Sequence, residues 1–143
     1  MVQNQNTQVL IIDLADSRKM TKEQRQEAQD QMGTALFHFN AVHQKKAADF
    51  RGGDGMVFIC DGRSELITTL NMVREFVKFP FHVGVGEGEV FIKGDSPNAM
   101  YGSAFHAAAD SLKRAKEWVV RGLPPRIFCP ADTHFERKLN EKN

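Results

Sequence analysis

The sequence predicts an α+β fold, a ferredoxin-like (βαββαβ) antiparallel sheet with helices packed on one face. Three observations predict it. Short β-branched runs alternate with longer segments of helical spacing, two of the runs flank a single glycine-rich turn, and their order makes two right-handed split crossovers. The chain of 143 residues is long enough for one domain with a proper core. We expect that core over residues 8–129, with a polar, mobile tail at 130–143.

The first run, "QVLIID" (8–13), is β-branched and ends in a carboxylate, which predicts a buried strand. Thr21 then opens a helix, with Gln24 three residues on as a capping box. Its apolar positions Ala28, Met32, Ala35, Leu36, Phe39 and Val42 keep helical spacing. "ADFRG" and "GMVFIC" form the two arms of a hairpin around Asp54. A second helix from about Ser64 turns Leu66, Ile67, Leu70, Val73 and Val77 inward. "FHVGVG" (81–86) and "EVFIKG" (89–94) read as two strands joined through Gly86, Glu87 and Gly88. Ser96 and Pro97 start a third helix, because proline suits a first helical turn. That helix is expected to bury Tyr101, Phe105, Ala108, Leu112, Ala115 and Trp118. "LPPRIFCP" (123–130) supplies a last short strand.

Bulk composition excludes several functions. With 26% charged residues and a net charge of +1, no charge excess favours nucleic acid. The two cysteines, Cys60 and Cys129, form no metal or redox spacing and read as reduced thiols of a cytoplasmic protein. "MVQNQNTQ" lacks the pattern of a signal peptide, and no apolar run approaches a membrane span. The five histidines have no zinc-ligand spacing, and His82 reads as a half-buried sheet residue. Asp16 reads as a loop or cap residue, and Lys93 as a solvated charge.

The topology gives the Asp54 turn a second meaning. Asp-Gly alone suffices for a hairpin turn. In a ferredoxin-like sheet, however, the first and third strands are antiparallel neighbours, so the end of the first abuts the start of the third. Asp13 and Asp54 stand at those points. Two carboxylates at one sheet edge repel unless a cation lies between them. Mg²⁺ (or Mn²⁺) is the natural occupant, since it takes hard oxygen ligands and leaves room for substrate phosphates. The Leu14 carbonyl adds a backbone ligand, and Gly52 and Gly53 allow close approach. "ADSRK" (15–19) supplies loop amides, the Ser17 hydroxyl and the cations Arg18 and Lys19 for phosphate. No P-loop is present.

These residues carry a resemblance. "IIDLADSRKM", "RGGDGMVFI", "FHVGVGEGEV" and "YGSAFHAAADSLKRAKE" resemble, in the right order, motifs of the nucleotidyl cyclase/GGDEF/CRISPR-polymerase palm superfamily, and most specifically its SatD-like members. The resemblance covers about residues 8–118. It implies a palm domain that binds a nucleoside triphosphate (ATP or GTP) with a metal ion, and a homodimer. It assigns Asp13 and Asp54 to the metal, Leu14 to the carbonyl ligand, Gly52 and Gly53 to nucleotide approach, and Lys116 to phosphates. Gly102 and His106 match base- or ribose-facing positions. Gly55 departs from the pattern: GGDEF enzymes have Glu there and CRISPR palms Asp, whereas class III cyclases manage with one aspartate. That departure argues against an ordinary diguanylate cyclase.

Three functions compete. The first is a nucleotidyl cyclase or cyclic-oligonucleotide synthase, with Asp13 and Asp54 as the catalytic metal-holding pair. The second is a catalytically inactive nucleotide-sensing module of the SatD type, which Gly55 favours. The third, an RNA-recognition domain, shares the element order but fails at "RGGDGMVF", where Gly53 and Gly55 replace stacking aromatics.

Overall fold

The computed structural model describes residues 7–44, 47–94 and 96–141; the leader expectation at residues 1–6 lies outside them. Four strands form one antiparallel sheet in the order β2-β3-β1-β4. β1 (Thr7–Leu14) and β3 (Gly55–Cys60) are its centre, and β2 (Ala48–Phe50) and β4 (Phe81–Gly88) its edges. α1 (Lys22–His43) links β1 to β2, and α2 (Arg63–Phe76) links β3 to β4. This is the expected ferredoxin-like arrangement. The Thr21 capping box is formed, with Gln24 N–H donating to Thr21 Oγ1 at 3.1 Å and Gln24 Oε1 accepting from Thr21 N–H at 2.9 Å.

The helices occupy both faces of the sheet rather than one. Leu10, Ile12, Met56 and Phe58 point to α1 and α2, while Val9, Ile11, Val57 and Ile59 point to α3 (Ser103–Val120). β1 signals this in its unbroken apolar run, because a strand covered on both sides has no polar face to alternate with. α3 lies unusually close to β4. A Cβ at Gly84 or Gly86 would overlap the Ala108 or Ala104 carbonyl oxygen, so helix and strand meet backbone to backbone.

Four local expectations are corrected. Ser96 and Pro97 open only a 3₁₀ turn (Pro97–Ala99), after which β6 (Met100–Tyr101) pairs with β5 (Phe91–Ile92). α3 begins after Gly102, whose φ of 122° interrupts the chain, and Tyr101 is exposed, stacked on Phe91 at 5.3 Å. Val42 is exposed on the outer side of α1. "LPPRIFCP" is extended but pairs with no strand. Its two consecutive prolines have no N–H, and side chains take backbone groups of its second half: Ile127 N–H donates to Asn140 Oδ1 at 2.8 Å and Cys129 N–H to Glu136 Oε1 at 2.7 Å. The polar tail contains α4 (Thr133–Asn140), which buries Phe135 and Leu139, four apart on one face, against the main core.

Cys60 is fully buried, and burial pushes its thiol pKa up to about 12; Cys129 is half-buried, and both are free thiols. No helix among the described residues is long and apolar enough to cross a membrane.

The glycines divide by what surrounds them. Gly86→Ala is expected to cost about 3 kcal/mol in urea unfolding, because its methyl meets backbone that cannot rotate away. Gly33, inside α1, has only the Phe50 ring near a new Cβ, at 3.6 Å. Gly33→Ala is therefore expected to stabilise by about 0.5–1 kcal/mol in the same assay.

Candidate functional site

The β1–β3 ladder sets Asp13 opposite Gly55, and the next rung is Leu14 N–H donating to the Asp54 carbonyl at 2.8 Å. The two carboxylate residues therefore stand at one end of the sheet. Leu14 turns its backbone groups toward β3, since residues of an antiparallel strand alternate between their two neighbours. Arg51 N–H donates to the Gly55 carbonyl at 2.8 Å and closes the hairpin, and Gly52 takes the positive φ of 67° that the turn requires. α1 holds the tip from outside, with Gln29 Nε2 donating to the Gly53 carbonyl at 2.9 Å.

The loop after β1 adds a further contact. Asp16 adopts a left-handed conformation (φ 54°) and starts a 3₁₀ turn over Ser17–Lys19. Ser17 Oγ donates to Asp54 Oδ2 at 3.0 Å, while Arg25 of α1 donates to the Ser17 carbonyl at 2.8 Å. Arg18 and Lys19 are exposed beside it. Thus Asp13, Leu14, Ser17, Arg18, Gly52, Gly53 and Asp54 belong to one end of the sheet.

Asp13 projects to the α3 face with Val9 and Ile11, and there Lys116 of α3 forms an ion pair with its Oδ2. His82 stands across the ladder from Asp13 on β4, half-buried. Burial, and then the nearby Lys116 charge, hold the His82 pKa below the ordinary histidine range. The sequence signalled its half-burial; its place beside Asp13 needs the β1–β4 register, which no local pattern announces. A cleft of about 670 Å³ opens next to Lys116, with Arg51, Lys113 and Arg121 around an apolar floor of Leu112 and Val120.

Gly102 and His106 are not brought to this end. They lie in the first turns of α3, ten residues from Lys116 in His106's case, which is about 15 Å along a helix. Gly102 has a packing reason to be glycine: a Cβ would stand 2.5 Å from the Glu89 carbonyl oxygen and 3.2 Å from the Phe91 ring.

Among the described residues, no group of three or more His, Cys, Asp or Glu side chains converges on a metal position. The donors at the sheet edge are instead two carboxylates and a backbone carbonyl. All are hard oxygens, the set that Mg²⁺ takes and zinc does not prefer.

No protein-family model and no curated protein matches the chain. Solved structures do match. The monomeric guanylyl cyclase domain of the RhoGC fusion protein from the aquatic fungus Blastocladiella emersonii is similar with a TM-score of 0.54 at 12% identity, over 75% of this chain and 74% of that one. The catalytic core of a rhodopsin-guanylyl cyclase with converted specificity, in complex with ATPαS, is similar with a TM-score of 0.50 at 11% identity, over 75% of this chain and 71% of that one. At such identity the likeness shows the fold, which is the palm-like fold of nucleotidyl cyclase domains.

The glycine that follows the hairpin aspartate has a steric cause. A Cβ on Gly55 would sit 2.7 Å from the Ile12 carbonyl oxygen and 3.1 Å from that of Arg51. A second acidic side chain has no room there on this backbone. Gly55→Asp is expected to destabilise by about 2 kcal/mol or more in urea unfolding. Gly55→Ala should cost nearly as much, since the first added carbon makes the clash.

Proposed function

We propose that the end of the sheet carrying Asp13 and Asp54 binds a nucleoside triphosphate, ATP or GTP, together with Mg²⁺ (or Mn²⁺). The observation that supports this most directly is the β1–β3 register, which sets Asp13 opposite Gly55 and Leu14 against Asp54, so that two carboxylate residues from distant parts of the chain stand at one end of the sheet. In this reading Asp13, Asp54 and the Leu14 carbonyl hold the cation. The bound ion would neutralise phosphate charge and favour ionisation of an attacking hydroxyl. Ser17 orients the Asp54 carboxylate, and Gly52 and Gly53 leave the hairpin surface open to the triphosphate. Arg18 and Lys116 contribute positive charge to phosphates. Asp13 is shared between Lys116 and the cation, so Lys116 turns from the carboxylate to the triphosphate as the complex forms.

The reaction best suited to these parts is nucleotidyl transfer of the cyclase type, giving a cyclic mono- or oligonucleotide. Gly102 and His106 would serve a nucleotide held by a second copy in a homodimer, since α3 carries them about 15 Å from Lys116 of their own chain. A second reading, a nucleotide-sensing module of the SatD type working in the cytoplasm, is favoured by Gly55. The steric block there leaves the hairpin with one carboxylate.

Turnover separates the two. Pure protein is incubated with each of the four nucleoside triphosphates and Mg²⁺ or Mn²⁺, and products are resolved by ion exchange, with Asp54→Ala as control. A cyclic or pyrophosphate-releasing product absent from the variant is the expected result. A metal-dependent rise in melting temperature without product means a sensor, and neither response refutes both readings.

The ion pair yields a further expectation. Lys116→Gln removes the cation that competes for Asp13. An exposed pair is worth up to about 1 kcal/mol, so Mn²⁺ affinity measured by electron paramagnetic resonance should rise about twofold to fivefold. An unchanged or weaker affinity would place the metal away from Asp13.

A further inference from the structure

The outer edge of β4 carries a feature that the carboxylate edge does not use. Ala15 N–H donates to the Pro80 carbonyl at 2.9 Å, which continues the β1–β4 ladder and sets its phase. By alternation, His82, Gly84 and Gly86 bond toward β1, while Phe81, Val83 and Val85 turn their N–H and C=O groups outward. Val85 is covered: its N–H donates to Ser111 Oγ at 3.1 Å, and Ser111 donates onward to the Phe128 carbonyl at 2.6 Å. Val83 is not. No protein partner for its outward N–H exists among the described residues, and Val83 lines the cleft that opens beside it. Its N–H and C=O are therefore edge groups that a bound molecule can pair with.

A cleft of about 770 Å³ opens along this stretch of edge. Pro124 and Pro125 of the segment before α4 line it, and without N–H groups they cannot donate to the Val83 carbonyl. Phe81 gives it an aromatic wall. At one end lies Arg74 of α2, half-buried, with Nη2 donating to the Leu139 carbonyl at 3.1 Å and no carboxylate partner among the described residues. Burial lowers the Arg74 pKa, as expected for a guanidinium without a counter-charge. Arg126, also in the wall, is already bonded to Glu136 and lies over the Trp118 and Phe128 rings. Glu75 stands in the lining beside Arg74, so the local charge is small and suits a single oxyanion.

We propose that this cleft is a second ligand site, for a small planar heteroaromatic or amide-containing molecule that bears one carboxylate or phosphate. Arg74 takes the oxyanion in its guanidinium fork. The ring lies between Phe81 and the proline wall, and its edge pairs with the Val83 N–H and C=O. The volume falls within the range of small-molecule sites. His82 lines this cleft and is also the cross-strand neighbour of Asp13, so a ligand here sits one residue from the carboxylate edge.

The probes are the four nucleoside 5′-monophosphates and orotate, which carry the two oxyanions on planar heteroaromatic frames. Each is titrated in EDTA, so that no divalent ion is present, while the Val83 amide is followed by nuclear magnetic resonance. We expect a saturable shift of that amide with at least one probe, and which probe wins tells phosphate from carboxylate. Arg74→Gln and Arg74→Lys should weaken binding tenfold or more, the lysine variant keeping charge and bulk if the glutamine variant fails to fold. Asp54→Ala should leave it unchanged. The proposal is overturned if no probe moves the Val83 amide, or if binding survives both Arg74 variants, or if it is lost in Asp54→Ala. Binding that survives Asp54→Ala but not the Arg74 variants belongs to this cleft and not to the carboxylate edge, so failure of either proposal leaves the other standing.

Discussion

Gly55 passes so close to the Ile12 carbonyl oxygen that no side chain fits between β3 and β1 at that rung. The close approach belongs to one register of the two central strands, which the apolar residues of both faces specify. Register sets which residues face which neighbour, and a slip of one residue would invert every side chain of β1. Leu10 and Ile12 would leave the α1–α2 core, and Val9 and Ile11 would leave the α3 core. The same rung places Asp13 beside the Asp54 hairpin. The fold and the candidate site thus share one steric constraint, and the missing second acid of the hairpin is its by-product.

Each carboxylate at that edge has a partner within the chain: Asp54 accepts from Ser17, and Asp13 pairs with Lys116. α3 supplies this charge from the face opposite to α1 and α2. The cleft beside Lys116 adds Arg51, Lys113 and Arg121 to the positive charge on that side of the sheet.

Much of this is legible in the residues themselves. The Thr21–Gln24 capping box, the Asp54 hairpin and the pairing of Asp13 with its turn follow from local chemistry plus one topological rule. The missed features all depend on contacts between distant segments. Ile127, Phe128 and Cys129 have strand propensity, yet the side chains of Asn140, Ser111 and Glu136 claim their backbone groups. Tyr101 reads as the inward face of a helix until Gly102 takes a positive φ and moves the helix start beyond it. Phe135 and Leu139 are two apolar residues in a charged tail, a stripe too short to distinguish from chance before the core beneath it is known. His82 owes its position entirely to register.

The seating of α3 on β4 has a mechanical consequence. Most helices rest on a sheet through a layer of side chains, which change rotamer and absorb small displacements. Gly84 and Gly86 remove that layer, and Ala104 and Ala108 bring the helix backbone down onto the strand. Glu89 and Phe91 grip the Gly102 end as closely. Over β4 there is no soft cushion beneath α3, while Val9, Ile11, Val57 and Ile59 cushion it over the central strands. The helix is therefore free to rock on its apolar side but not to sink or slide along β4, which fixes the position of Lys116 relative to Asp13.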